Sequence, residues 1–431
     1  MICHGQPFPL YIMHIPIENL DDSFFTFIND HMADDTASMR MKRRGDDLMQ
    51  FAVTQIECRR RCEEKLRDTL ERVERFVFPS DIAAQQSTSD AVAAFHAGLV
   101  GEGRRVLDLT CGLGIDTFAM ARNGCRVTAV ELDGWKSYIA GYNARVSGLS
   151  ERVEIVNDDS VELVRRMAAP KEACRYDDIF VDPARRDEAG NRVYGFHDCS
   201  PDILTMLDSV AALAPRLVVK ASPMLDITQC INDFEGRVNR VYIVGSGGEC
   251  KEVVIDVAME GQMVDPDYVA VCVIEATHDC VAHETFRFTH REEREAASAI
   301  LQPEALSSGM FLYEPSAPAM KTGAFKSLGA RFGLEKVSVN THLYCCNHMV
   351  EGFPGTVYKV ANVTGMSKRE LSLIINQYGH INVAVRNMGM TAAALKAKLK
   401  VADGGDPTVK LIGMRDSAGN RRLVIAERLS R

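Results

Sequence analysis

Val106-Leu-Asp-Leu-Thr-Cys-Gly-Leu-Gly114 reads as the end of a short apolar strand, a glycine turn and the entry to a helix. Glycines at such a turn let the backbone bend tightly and approach a bound ligand. The third glycine of a dinucleotide fingerprint is absent, because Thr117 holds its place. An acidic residue, Asp108, stands inside the strand end. A pyrophosphate would be repelled there, whereas a cationic sulfonium with an amino-acid tail would be tolerated. The turn therefore favours S-adenosylmethionine over NAD as cofactor.

Outward from this turn, strands and helices alternate. Strands are expected over 105–109, 126–130, 153–156, 178–181 and 217–219, with helices over 117–123, 137–146, 161–167 and 201–213 between them. Two more strands, 241–244 and 253–257, flank the glycine-rich Gly245-Ser-Gly-Gly248. Alternation of this length predicts a doubly wound α/β sheet, a Rossmann-like fold whose ligands sit outside the carboxyl ends of the strands. Acidic residues follow successive strands on that edge. Glu131, about 20 residues on from the turn, is placed to accept from both ribose hydroxyls. Asp159 follows the third strand and is placed to accept from an adenine amino group, with Asp158 able to exchange roles with it. With Asp108, Thr110, Gly112 and Gly114 of the turn, and Asp182, these form the expected cofactor set.

Asp182-Pro-Ala-Arg-Arg186 follows the fourth strand, where reacting groups belong. Asp182 is expected beside the transferred group. Arg185 and Arg186 suit phosphates as bidentate donors. Lys220 closes the fifth strand, either as a general base or phosphate contact or as a lysine snorkelling to water. Asp182, Arg185 and Lys220 are the candidate catalytic residues.

Before the sheet, residues 1–90 read as mostly helical. A charged stretch over 46–78 has near-helical apolar spacing and is stopped by Pro79, and Ser87-Thr-Ser-Asp90 offers caps for a helix over 91–99. After the sheet, a strand over 268–275 is followed by a small β-α-β unit with strands at 310–313 and 337–339 and a helix over 320–331. The last stretch, from 356, carries a strand, a helix, a strand over 381–386, a helix over 391–399 and a closing hairpin.

Composition is that of a soluble globular chain, 46% hydrophobic and 25% charged. No run of 18 apolar residues suggests a membrane span, and the start lacks a basic segment followed by an apolar core. The 13 cysteines are scattered with no Cys-x-x-Cys pair, which predicts reduced thiols in a cytoplasmic protein and no metal site. The net charge of −9 argues against coating nucleic acid by bulk electrostatics. From Glu351 to Arg431, however, 13 Lys/Arg against 6 Asp/Glu give 13 − 6 = +7. A basic end on an acidic body points to a local polyanion-binding surface.

In the turn and strand-end residues quoted above, the chain resembles class I methyltransferases. It resembles more closely a bacterial family of RNA methyltransferases with a C-terminal THUMP-like domain. The segments that carry this are Gln85-Gln-Ser-Thr-Ser89, Asp108-Leu-Thr-Cys-Gly-Leu-Gly-Ile-Asp-Thr117, Asp182-Pro-Ala-Arg185 and Val219-Lys-Ala-Ser-Pro-Met-Leu-Asp226, then Glu249-Cys-Lys-Glu252, Tyr313-Glu-Pro-Ser-Ala-Pro-Ala-Met-Lys321, Asn340-Thr-His-Leu-Tyr344 and Asp403-Gly-Gly-Asp406. The resemblance implies a helical region over 1–90, a methyltransferase domain over 91–278, a ferredoxin-like domain over 279–352 and a THUMP-like RNA-binding domain over 353–431. It implies structured RNA, tRNA or rRNA, as the partner of the basic end. The chain departs from the family after Arg386-Asn387, where Met388-Gly389 replaces an aromatic-Pro pair.

The motif after the fourth strand restricts the chemistry. Adenine-N6 enzymes place an aromatic ring two residues after the proline, where this chain has Arg185. Enzymes forming 5-methyluridine carry a nucleophilic cysteine after the fifth strand, where this chain has Lys220-Ala-Ser222. DNA or small-molecule methylation, and a non-catalytic RNA-binding protein that retains the cofactor, stand as alternatives to RNA methylation.

Overall fold

The computed structural model describes residues 15, 17, 20–169, 175–185, 195–263, 265–276 and 279–429. Two compact units divide the chain. The first comprises 1–241, 252–264 and 273–283, and the second 242–251, 265–272 and 284–431.

The first sheet begins with β1 (Arg105–Asp108), β2 (Arg126–Glu131), β3 (Val153–Asn157), β4 (Asp178–Val181) and β5 (Arg216–Ala221). These five are mutually parallel in the order β3-β2-β1-β4-β5. The reversal of strand order between β1 and β4 opens a crevice at their carboxyl ends. Parallel strands covered on both faces need unbroken apolar runs. Val106, Leu107, Ile179, Phe180, Val181, Leu217, Val218 and Val219 supply them, all fully buried. Each such side chain contributes about 1.5–3 kcal/mol when removed from water. β6 (Val238–Ser246), β7 (Glu249–Ala258), β8 (Asp267–Ala276) and β9 (Asp279–Thr289) continue the order as β5-β7-β6-β8-β9, with β7 antiparallel to β5. The strand β9 and the helix Ile227–Asp233 went unread in the sequence.

The amino ends of the strands are tied by charge. Asp178, fully buried at the start of β4, accepts from Arg104 Nε at 2.8 Å and Arg216 Nη1 at 3.2 Å, and Arg216 Nε also reaches Asp256 at 2.9 Å. This ion cluster lies at the edge opposite the glycine turn.

The helical stretch expected over 46–78 is broken. It forms helices Asp47–Cys62 and Arg67–Arg72, followed by a turn and irregular chain. Tertiary partners override helical spacing here. The Asp90 carboxylate accepts from Thr69 N and Oγ1, and the Lys65 ammonium reaches the carbonyls of Ala84 and Gln85. Farther on, two buried amides act as surrogate strands. Gln55 bonds N–H and C=O of Phe78, and Asn143 bonds those of Val77. Phe24, Phe25, Ile28, Phe51 and Ile56 pack with Ile139 and Tyr142 of helix Gly134–Val146, so the N-terminal helices share a core with the sheet's covering layer.

In the second unit, β10 (Phe311–Pro315), β11 (Glu335–Ser338), β12 (Thr341–Cys346), β13 (Gly355–Thr364), β14 (Asn382–Arg386), β15 (Val409–Arg415) and β16 (Arg421–Arg428) form one sheet in the order β11-β12-β10-β13-β16-β15-β14. β10 is antiparallel to both β12 and β13, so the expected boundary at 352/353 falls inside a continuous sheet. Glu314 on β10 locks it. Its carboxylate accepts from Lys410 Nζ at 3.0 Å and Tyr358 OH at 2.9 Å, and pairs with Arg386. The helix expected over 320–331 is split into Ala317–Thr322 and Phe325–Phe332 by Gly323, which adopts a left-handed φ of 82°.

Candidate active site

The glycine turn connects β1 to helix Ile115–Arg122. Gly114 takes φ 88°, and a Cβ there would lie 2.6 Å from the Phe118 ring. Gly112 takes φ 55°. The turn's donors meet carboxylates. Asp108 is buried and accepts from Thr110 N at 3.0 Å and Thr117 Oγ1 at 2.5 Å. Burial pushes the Asp108 carboxyl up to about 7, against the lowering effect of those two bonds. Asp108 thus closes the turn from beneath. Cys111 in the same loop is buried, which raises its thiol well above the usual range and leaves it unreactive.

Glu131, at the end of β2, is half-buried and holds Gly112 N at 2.8 Å and Asp133 N at 2.9 Å. Each carboxylate oxygen accepts one backbone donor, and each keeps a further lone pair for a hydroxyl. Asp159 caps helix Ser160–Ala168 through one oxygen, accepting from Val161 N and Glu162 N. Asp158 pairs with Arg166 and accepts from Asp159 N, and these contacts hold its carboxyl below the usual range. The two acidic neighbours therefore differ in environment: one is a helix cap and the other an arginine partner.

Thr110 and Asp182 face each other across the crevice. Thr110 Oγ1 accepts from Asp182 N at 2.7 Å, joining the ends of β1 and β4. The Asp182 side chain is 48% exposed, and its Oδ2 lies 2.7 Å from Lys220 Nζ. The backbone of Ala184 and Arg185 pairs with Ser200 and Cys199. The Arg185 side chain, and Arg186 entirely, lie outside the described residues.

Lys220 is 6% exposed and does not snorkel to water. Its ammonium donates to Thr88 Oγ1 at 2.8 Å and approaches Asp116 Oδ2 at 3.2 Å, Asp182 Oδ2 at 2.7 Å and Glu252 Oε2 at 3.9 Å. Burial alone would lower its pKa, but Asp116, Asp182 and Glu252 more than offset this and place it above the usual lysine range. An ammonium so held has no lone pair to take a proton, so a general-base role is disfavoured. Beneath it, fully buried His96 sets Nδ1 2.7 Å from Asp116 Oδ1 and Nε2 2.5 Å from Glu252 Oε1. Burial would lower the imidazole, yet Glu252 and Asp116 raise it to about 9. Asp116 is driven upward by burial, but Lys220 and His96 hold it well below the carboxylate range.

Thr88, His96, Asp116 and Glu252 went unread as site residues. Three of them lie in the resemblance segments 85–89, 108–117 and 249–252, whose chemistry was not evident from the sequence alone. No spacing along the chain links all four, because the fold brings them together from a loop, two helices and a strand.

The residues present suit S-adenosylmethionine. The turn has two left-handed glycines, one of which has no room for a side chain. Carboxylates follow β1, β2, β3 and β4 along the crevice, which matches a ligand carrying a cation, a diol and an amine.

Comparisons with known proteins agree. Residues 103–186 match the family described as RNA cap guanine-N2 methyltransferase, 311–354 the ferredoxin-like domain family and 355–428 the THUMP domain-like family. An uncharacterized S-adenosylmethionine-dependent methyltransferase of Mycobacterium tuberculosis is 21% identical over 405 residues, covering 90% of this chain and 98% of the relative. A 23S rRNA uracil-C5 methyltransferase of Edwardsiella ictaluri is 34% identical over 139 residues, 30% of this chain and 28% of the relative. The crystal structure of a Porphyromonas gingivalis protein classed as a methyltransferase shares the fold. It has a TM-score of 0.80 and 24% identity, covering 95% of this chain and 98% of that one. Strand order and site together define the class I methyltransferase fold. The chain is an S-adenosylmethionine-dependent methyltransferase with ferredoxin-like and THUMP-like domains following the catalytic sheet.

Proposed function

We propose that this enzyme methylates a nucleotide of structured RNA, tRNA or rRNA, in the cytoplasm. The observation that carries the RNA assignment is the THUMP-like match over 355–428, in a stretch that runs to +7 on an acidic body. Two relatives, each matched over 139 residues, add support: one is named for 23S rRNA, and another, from Trichomonas vaginalis, for position 37 of tRNA. The proposed division remains 1–90 helical, 91–278 methyltransferase, 279–352 ferredoxin-like and 353–431 THUMP-like, the last two sharing one sheet.

In this reading Thr110, Gly112, Gly114 and Asp108 shape the cofactor turn, Glu131 takes the ribose hydroxyls, and Asp159 with Asp158 lies at the adenine. The bound cofactor supplies an electrophilic methyl group on sulfur. Asp182, shared between cofactor and acceptor, has one oxygen on Lys220 and one for the acceptor's N–H. Methyl transfer to a neutral nitrogen builds positive charge there, and a fixed carboxylate stabilises that charge or takes the proton. Arg185 is assigned to a target phosphate. A C5-uridine transfer is disfavoured, because Lys220-Ala221-Ser222 stands where such enzymes have their nucleophilic cysteine.

The test is transfer of labelled methyl groups from S-adenosylmethionine by the full chain. Total RNA from cells lacking the gene, genomic DNA and a small-molecule extract are the acceptors. Label in RNA that is lost with Asp182→Ala supports the proposal. Label only in DNA or small molecules assigns one of the alternatives, and cofactor binding with no transfer assigns the non-catalytic one.

A further inference from the structure

The candidate active site contains more buried charge than cofactor binding needs. His96 has carboxylate oxygens at both ring nitrogens, 2.7 and 2.5 Å away, and neither oxygen can donate unless protonated. That geometry calls for a doubly protonated imidazolium. The Lys220 ammonium has three hydrogens and three acceptors within 3.2 Å: Thr88 Oγ1, Asp182 Oδ2 and Asp116 Oδ2. Thr88 in turn donates to Asp116 Oδ2 at 2.6 Å. Counting His96, Lys220, Asp116 and Glu252, the buried members sum to zero. The remaining charge is on Asp182, and its 48% exposure contrasts with 0%, 6%, 14% and 12% for those four. Buried charges persist only when paired in good geometry, and losing one partner leaves the rest uncompensated. Among the described residues, no His/Cys/Asp/Glu group is disposed to hold a metal.

We propose that His96, Glu252, Asp116 and Thr88 act through Lys220 as positioning residues for Asp182. They form a self-neutralising buried lattice that fixes one carboxylate oxygen and leaves the other for the acceptor. The proposal rests on the methyl-transfer reading of Asp182. His96 enters because it sits between the Asp116 and Glu252 carboxylates that also face Lys220, and its imidazolium supplies the second cation of the cluster. Phe95 and Phe180 pack against the imidazole as rings, so the charged groups facing it are those two carboxylates, with Lys220 beyond them. If the imidazolium is lost, Lys220 is left among three carboxylates with no second cation, and it is drawn away from Asp182.

Two measurements test this on the full chain. The first follows methyl transfer into total RNA from cells lacking the gene. His96→Gln is expected to lower kcat roughly tenfold and Lys220→Met roughly a hundredfold, with the affinity for S-adenosylhomocysteine changed less than about twofold. The wild-type rate should fall as pH rises past about 9, where His96 loses its proton, and that alkaline limb should vanish in His96→Gln. Unchanged kcat and an unmoved alkaline limb in His96→Gln would overturn the proposal. So would parallel losses of cofactor affinity and rate, which would indicate general damage to the fold.

The second measurement needs no acceptor. The 15N resonance of the Lys220 ammonium, assigned through Lys220→Arg, should shift in both Asp182→Asn and His96→Gln, and both His96 nitrogens should read as protonated at neutral pH. A Lys220 signal indifferent to His96→Gln, or a neutral His96, overturns the lattice. If the wild type labels no RNA, the RNA assignment falls and this second measurement decides the lattice by itself.

Discussion

Glu131 carries two loads at once. Its carboxylate holds Gly112 N and Asp133 N, and it is proposed to hold the ribose hydroxyls as well. Glu131→Ala should weaken S-adenosylhomocysteine binding by about 1–3 kcal/mol, read by calorimetry, since buried donors lose their acceptor. Unaltered binding would remove Glu131 from the cofactor site. Asp182→Ala should cut turnover by about a hundredfold or more while cofactor still binds. Near-normal turnover would move the chemistry elsewhere. His96 also links folding to pH. Its folded pKa of about 9 lies above the ordinary imidazole value of about 6.5. The stabilisation is therefore present in full below about pH 6.5 and lost as pH rises through about 9. Thermal melts between pH 7 and 10 should show the wild type losing more stability than His96→Gln, and equal slopes would contradict a charged His96. At this scale the sequence revealed the residues that follow strands, because an acid after each strand of one edge is a pattern. His96 and Glu252, 156 positions apart, form no pattern until the sheet brings them together.

The glycine turn is the element that sets the cofactor crevice. Gly114→Ala would force a side chain into φ 88° and against Phe118, itself fully buried. The left-handed conformation costs roughly 1–2 kcal/mol for a residue with a Cβ. The contact with Phe118 adds to this. A lower melting temperature and weaker cofactor binding should appear together, and retention of both would show that the turn tolerates a side chain. The parallel strands were legible as apolar runs bounded by turns, and β4 was read to its exact ends, Asp178–Val181. The helix expected over 46–78 was misread, because Thr69 N donates to the Asp90 carboxylate and Lys65 Nζ to the Ala84 carbonyl, tertiary contacts that a stretch of helical local spacing does not reveal. β12 was missed because Thr341–Cys346 has no strong alternation of apolar and polar residues, and β9 also went unread.

At the scale of the whole molecule, charge is segregated between an acidic body and a basic end. Within the basic end, Lys396 is bound to Asp403 at 2.6 Å, so its charge is already partnered. Lys398 and Lys400 are exposed and are the better choices for reversal to Glu. Each reversal should weaken RNA binding and flatten its salt dependence by about one counterion. Unchanged salt slopes would remove this helix from the RNA-binding surface. Point reversals are preferable to truncation near Gly352, because β13 and its neighbours complete the sheet around β10.

The central claim is that this chain methylates RNA, and nucleoside mass spectrometry of total RNA tests it most directly. Cells with the gene, without it, and complemented with wild type or Asp182→Ala should be compared. The account predicts one methylated nucleoside that disappears with the gene, returns with the wild type and stays absent with Asp182→Ala. Identical methylated-nucleoside profiles in all four, with the protein present and binding cofactor, would contradict it.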